Sequence, residues 1–353
     1  MTLPTRVQRL SAELPNRILT LDGSWGVYLQ GRNLTEACYR GERFAKHNRP
    51  LKGDHDVLCL TRPDIVREIH DAYLAAGADI TSTNTFSATS IAQADYALES
   101  AARDINAAGA RLAREACEAA EAKDGRVRLV AGAIGPTNKS LSISPDVNDP
   151  ARRDATFEQV AESYKEQILG LMEGGADILL LETIFDTLTA KAALWGAWEA
   201  FDSMGAELPL WISGTITDRS GRTLSGQTVE AFWNSIRHAR PWAVGLNCAL
   251  GPTEMRPFLA DLARVADCPV SAYPNAGLPN AMGGYDETPH SMEAHYAEWA
   301  RAGLVNIVGG CCGTTPEHIA CMHHAIEGVT PRAIPAHEAR LRLSGLEPFN
   351  AAA

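Results

Sequence analysis

The chain of 353 residues carries 32 Lys and Arg against 43 Asp and Glu, a formal net charge of −11, with 45% hydrophobic and 21% charged residues. These are values of a soluble folded protein with room for one large domain or two or three small ones. The acidic balance argues against a nucleic-acid binder, no apolar run approaches the ~18 residues of a membrane span, and the basic N-terminal stretch lacks the apolar core of a secretory signal. A cytoplasmic location is expected, with neither nucleic acid nor membrane as a partner.

The pattern along the chain alternates β and α. One phrase recurs, a helical stretch ending in Gly followed by an apolar run: AAGADITSTNTF (75–86), EGGADILLLETIF (173–185) and RAGLVNIVGGCC (301–312). The Gly is the expected left-handed residue after a helix, and the uninterrupted apolar run is what a strand covered on both faces needs. Eight such runs lie near Arg17–Leu21, Asp79–Thr83, Arg128–Ile134, Ile178–Glu182, Leu210–Ile216, Trp242–Asn247, Pro269–Tyr273 and Val305–Val308. Amphipathic stretches such as Glu99–Ala122 fall between them. Eight strands with intervening helices predict a single (β/α)8 TIM barrel over residues 1–332, with 333–353 as a C-terminal tail. A doubly wound open sheet is the alternative, but no GxGxxG loop follows an early strand. The long segments Ser24–Asp56 and Pro136–Asp154 both follow strands and belong on the catalytic face.

In a barrel the C-terminal strand ends meet at one mouth. Read in order, they offer Asp22-Gly23-Ser24, Thr83-Asn84-Thr85, Gly135-Pro136-Thr137-Asn138, Glu182-Thr183, Thr215 with Thr217-Asp218, Asn247-Cys248, Asn275 and Cys311-Cys312. Of eight cysteines, Cys248, Cys311 and Cys312 therefore converge from strands six and eight, on either side of strand seven. Three thiolates with one open position suit a catalytic zinc, whereas a structural zinc more often takes four protein ligands. Composition and spacing alone leave that reading beside buried thiols in a tight glycine turn. Cys38, Cys59, Cys117, Cys268 and Cys321 read as structural thiols. Thr314 with Glu317 resembles a capping box for the last helix, and of His323-His324 one is expected exposed and one packed.

The phrases DGSWGVYLQ, AGADITSTNTF, LLETIFDTLTAKAA, SGRTLSGQT, GLNCALG, YPNAGLPN and VNIVGGCCGTTPEHI resemble the homocysteine S-methyltransferase family, over about residues 17–332 and in order. The likeness is closest to the homocysteine-binding N-terminal domain of cobalamin-dependent methionine synthases. It implies a zinc-bearing barrel that transfers a methyl group to the homocysteine thiol to give methionine. Cys248, Cys311 and Cys312 match the zinc ligands, and Asn275 is a candidate labile fourth ligand. Glu182 and Asp22 match carboxylates suited to the substrate ammonium. Gly23 and Ser24 offer backbone N–H groups to its carboxylate, Asn84 and Thr85 fall on the pocket floor, and Asn247 is expected to orient its turn or support a thiolate. Trp25 and Val27 stand where smaller or polar residues are usual, and Ser82 where an acid is frequent.

The resemblance implies a methyl donor outside this chain. It reaches LSGLEPFN, where a folate domain would follow, and the DxHxxG cobalamin motif is absent. The first expectation is the homocysteine-activating subunit of a split synthase, with methylcobalamin supplied by a separate cobalamin- and folate-binding protein. The alternatives are a stand-alone enzyme using S-methylmethionine or betaine, and a non-catalytic zinc- or thiol-binding protein.

Overall fold

The computed structural model describes residues 3–280 and 284–351. Eight parallel strands form one sheet: β1 (Leu19–Thr20), β2 (Ile80–Ser82), β3 (Leu129–Ile134), β4 (Ile178–Ile184), β5 (Leu210–Gly214), β6 (Ala243–Asn247), β7 (Val270–Tyr273) and β8 (Ile307–Val308). The sheet runs β1-β8-β7-β6-β5-β4-β3-β2, and a parallel bridge between Leu21 and Ile80 joins its ends into a barrel. This closure excludes the open sheet. A helix follows each strand: α1 (Pro63–Ala75), α2 (Ala102–Asp124), α3 (Phe157–Gly174), α4 (Thr187–Met204), α5 (Val229–Ile236), α6 (Pro252–Val265), α7 (Pro289–Arg301) and α8 (Pro316–Ile326).

Alternation within the apolar runs builds two cores. Val130, Leu179, Leu181, Ile212, Val244 and Val270 face the helices, while Leu19, Ile80, Leu129, Ile178, Leu180 and Trp211 fill the barrel. Val7 and Leu10, on a short helix spanning Thr5–Ser11, join the inner core, and Trp242 Nε1 donates to Ser11 Oγ at 2.8 Å. The expected post-helix glycines take positive φ, at 107° for Gly77, 93° for Gly175 and 65° for Gly303.

The capping box of α8 lies one residue later than the sequence suggests. Thr315 is the N-cap and the His318 ring is its reciprocal partner, because Thr314 Oγ1 turns inward to the Cys311 carbonyl at 2.7 Å. His323 packs, its Nδ1 lying 3.1 Å from Thr20 Oγ1, and His324 is exposed. The tail is not a loose end as far as Ala351; residues 352 and 353 lie outside the described residues. Strands β9 (Arg342–Ser344) and β10 (Pro348–Asn350) form a hairpin against α5, where Asn234 Nδ2 donates to the Leu343 carbonyl and to Asn350 Oδ1.

Candidate active site

The three singled-out cysteines meet above β7. Cys248 Sγ lies 3.9 Å and Cys311 Sγ 4.0 Å from Cys312 Sγ, and all three sulfurs fall within 4.8 Å of one another. The end of β7 and the residues after it hold both cysteine-bearing loops. Cys248 N–H donates to the Tyr273 carbonyl, Cys311 N–H to that of Pro274, and Ala276 N–H to that of Cys312. Asn275 Oδ1, expected as a labile metal ligand, accepts the Cys312 N–H at 3.2 Å and so anchors the loop. Cys248 and Ala249 sit at φ of 60° and 55°, a region costly to residues with a side chain, so the turn that presents Cys248 is strained. S–H donation from Cys248 and Cys311 pulls the Cys312 thiol well below its usual range.

Glu182 reaches the same mouth through a bulge. The β4–β5 register shifts between Leu181 and Ile184, and Thr183 takes a φ of 57°, a genuine outlier for a β-branched residue. Asn247 secures that bulge: its Oδ1 accepts from Thr183 N–H at 3.0 Å and Ser213 Oγ at 2.7 Å, and its Nδ2 donates to Thr183 Oγ1 at 2.9 Å. Asn247 is therefore spent on β4 and β5 rather than exposed to the cavity. Burial pushes the Glu182 carboxyl up to about 8, reinforced by the charge of Asp22. Tyr273 lies beside it, its buried hydroxyl turned to the Glu182 carboxyl and the Ser213 side chain.

Asp22 is buried at the end of β1. Its carboxylate accepts from Thr81 Oγ1 at 3.0 Å, Ser82 N–H at 2.7 Å and Ser82 Oγ at 2.9 Å, yet burial outweighs these bonds and lifts it to about 7. Two of the unusual residues act together here, for Trp25 Nε1 donates to Ser82 Oγ at 3.4 Å. A neutral Ser82 gives Asp22 a donor where an acid would add a second carboxylate. Ser24 N–H, expected to face a substrate carboxylate, donates instead to Thr314 Oγ1 at 3.2 Å, and Ser24 Oγ accepts from Val27 N–H to start a short helix.

These groups open on a cavity of about 640 Å³ lined by Asp22, Gly23, Ser24, Asn84, Glu182 and all three cysteines. Thr85, expected on the floor, is not among the lining residues; it is buried and bonded to Thr83 Oγ1 and the Ala133 carbonyl. Asn84 lines the wall with its Nδ2 on the His55 carbonyl at 2.7 Å. The lining also includes residues that the sequence did not single out: Asp54, His55 and Asp56 from the first long loop, with Phe86, Asp95 and Tyr96. The acidic run Asp54-His55-Asp56 after Gly53 could have pointed to the first three; nothing local points to Phe86, Asp95 or Tyr96. Five lining residues are Asp or Glu, and among the described residues no Lys or Arg lines the cavity.

Comparison with known proteins agrees with this frame. The structure of the homocysteine methyltransferase MmuM from Escherichia coli in its oxidised form superposes with a TM-score of 0.69 at 22% identity, covering 91% of this chain and 99% of that one. Its metallated form gives a TM-score of 0.69 at 23% identity over 91% and 99%, and its apo form 0.63 at 22% over 91% and 100%. At this identity the likeness speaks for the fold. The family model described as homocysteine S-methyltransferase matches residues 19–326, which span the whole barrel and all three converging cysteines, so the chain belongs to the homocysteine S-methyltransferase family.

Proposed function

We propose that this protein methylates the homocysteine thiol to give methionine, with zinc held by Cys248, Cys311 and Cys312. The observation that carries the reading is three thiols within 4.8 Å of one another, in a cavity shared with Glu182 and Asp22 that no Lys or Arg lines among the described residues. The donor set fits the metal: three sulfur ligands suit zinc and leave one position for substrate. Zinc bound there supplies Lewis acidity that lowers the pKa of a thiol brought to it. Glu182 and Asp22 receive the substrate ammonium, a cation that offsets their costly burial. The strained Cys248 turn and the Thr183 bulge hold thiols and carboxylates in fixed relation, so one end of the amino acid is clamped while the other is activated. In the transfer the S–H bond is lost to solvent as a proton and an S–CH3 bond forms as the donor's methyl bond breaks.

For the donor, the first reading is methylcobalamin on a separate protein, with this chain as the homocysteine-activating subunit of a split synthase and residues 333–353 as the counterpart of a linker to a folate domain. The methionine synthase-like phrases support it, as do the two long loops at the rim, where Val147 is 94% exposed. A second reading has its own observation. The cavity far exceeds one amino acid in size, and Asp54, Asp56 and Asp95 line it together with the rings of Phe86 and Tyr96, a setting for a small sulfonium or quaternary ammonium donor. Purified protein given homocysteine and each donor in turn decides between them. Turnover with methylcobalamin and none with S-methylmethionine or betaine is the expected result; turnover with either small donor alone overturns the split reading.

A further inference from the structure

A second group of metal-ligating side chains lies outside the cavity. His290 and Glu293 stand one turn apart on α7, and Cys321 projects from α8, which packs against it. One ligating atom from each lies within 4.8 Å of the other two, and His290 Nδ1 is 3.4 Å from Glu293 Oε2. The His290 side chain is 87% exposed and the Glu293 side chain 30%, so a cation can arrive from solvent. Three features separate this cluster from ordinary surface charge. The donors are of three kinds, nitrogen, oxygen and sulfur; they come from two helices rather than one; and the sulfur sits at the helix–helix seam.

We propose that His290, Glu293 and Cys321 form a second divalent-cation site, selective for a thiophilic ion such as Zn²⁺ or Co²⁺, that staples α7 to α8. A hard ion such as Mg²⁺ prefers an all-oxygen shell, whereas imidazole, carboxylate and thiolate together suit zinc, with water as the fourth ligand. On binding, the Cys321 S–H bond breaks, a metal–sulfur bond forms with the sulfur's electron pair, and the proton passes to solvent. Neutral imidazole, carboxylate and thiolate then carry two negative charges against the ion's two positive ones. Glu317, one turn before Cys321, stays outside the set because its Oε2 accepts from Thr315 Oγ1 at 2.6 Å. The staple would link the helices immediately before and after β8, the strand that leads into Cys311 and Cys312.

The test is metal stoichiometry on the full chain, stripped with chelator and titrated with Zn²⁺ or Co²⁺ alone. Wild type is expected to take up two ions and Cys321→Ser or His290→Ala one. Cys311→Ser should keep one ion, lost in the double variant with Cys321→Ser, and its Co²⁺ complex should show a sulfur-to-cobalt charge-transfer band that Cys321→Ser removes. The side chains altered at 290 and 321 are at least partly exposed, so these variants should fold. Saturation of wild type at one ion that Cys321→Ser retains, or two ions still bound by Cys321→Ser, overturns the proposal. Because these readouts need no turnover, failure here leaves the methyltransferase reading untouched, and absence of activity leaves this site untouched.

Discussion

Asn247 shows how a residue beside a metal-ligand candidate can serve a different part of the site. Its amide reaches across to β4, where it satisfies both the N–H and the hydroxyl of Thr183, and so fixes the bulge that aims Glu182. Asn247→Ala is expected to retain full metal content, to lose about 1–3 kcal/mol of stability because Ser213 and Thr183 lose buried partners, and to raise KM for homocysteine, as Glu182→Gln is also expected to. Unfolding in urea, metal analysis and steady-state kinetics check the three parts; an unchanged KM in Asn247→Ala would sink the clamp. The cysteine trio was legible because each member follows an apolar strand and a barrel gathers strand ends. The Asn247–Thr183 contact was not, since the apolar run reads as a strand that ends at Glu182, and nothing local announces that pairing resumes at Ile184 after a bulge.

At the scale of the element, the strands were written plainly, and the spacing between them was written in their glycines. Gly245 lies opposite Ser271 in the β6–β7 pair. A Cβ there would overlap Ser271 Oγ and come 2.6 Å from the Ser271 carbonyl, so side-chain rotation alone cannot make room. Ser271 Oγ also accepts the Trp211 Nε1–H at 2.9 Å inside the barrel, and displacing it strands the indole. Gly245→Ala is therefore expected to cost at least about 3 kcal/mol, the upper end for overpacking, with only partial rescue by Ser271→Gly, because the carbonyl clash persists. Denaturant midpoints of the two single variants and the double variant test this, and a near-neutral Gly245→Ala would refute it. Helix ends were less legible than strands. The sequence offers two adjacent threonines before α8, and only the pull of the Cys311 carbonyl on Thr314 decides that Thr315 is the cap.

Across the whole molecule, the barrel gathers at one mouth acids that lie far apart in the chain, and this has a thermodynamic signature. Burial lifts Asp22 to about 7 and Glu182 and Asp56 to about 8, above the ~4 of an unfolded chain. A folded state that holds protons the unfolded state has released loses stability as pH rises through the folded pKa, at about 1.4 kcal/mol per proton per pH unit. Burial lowers His70, His55, His238 and His323 instead, so they act in the opposite direction, but only while unfolded histidines still bind protons, below about pH 7. Unfolded cysteines are half ionised at about pH 8.5, so buried thiols such as Cys59, Cys117 and Cys268, raised by burial, add to the same loss as pH nears 8. From pH 7 to 8 the unliganded protein is expected to lose stability, and the difference between wild type and a variant lacking one acid isolates that acid's share. The net charge of −11 pushes the same way, but salt screens surface repulsion and leaves a buried carboxyl largely untouched. Asp56→Asn supplies the control, because an amide oxygen can still accept the Ser87 N–H that Asp56 Oδ1 accepts at 2.9 Å. Its urea midpoint should fall less steeply from pH 7 to 8, by about 1 kcal/mol over the unit, in low and high salt alike. A flat wild-type profile, or a slope in Asp56→Asn equal to that of wild type, would remove buried acids as its source.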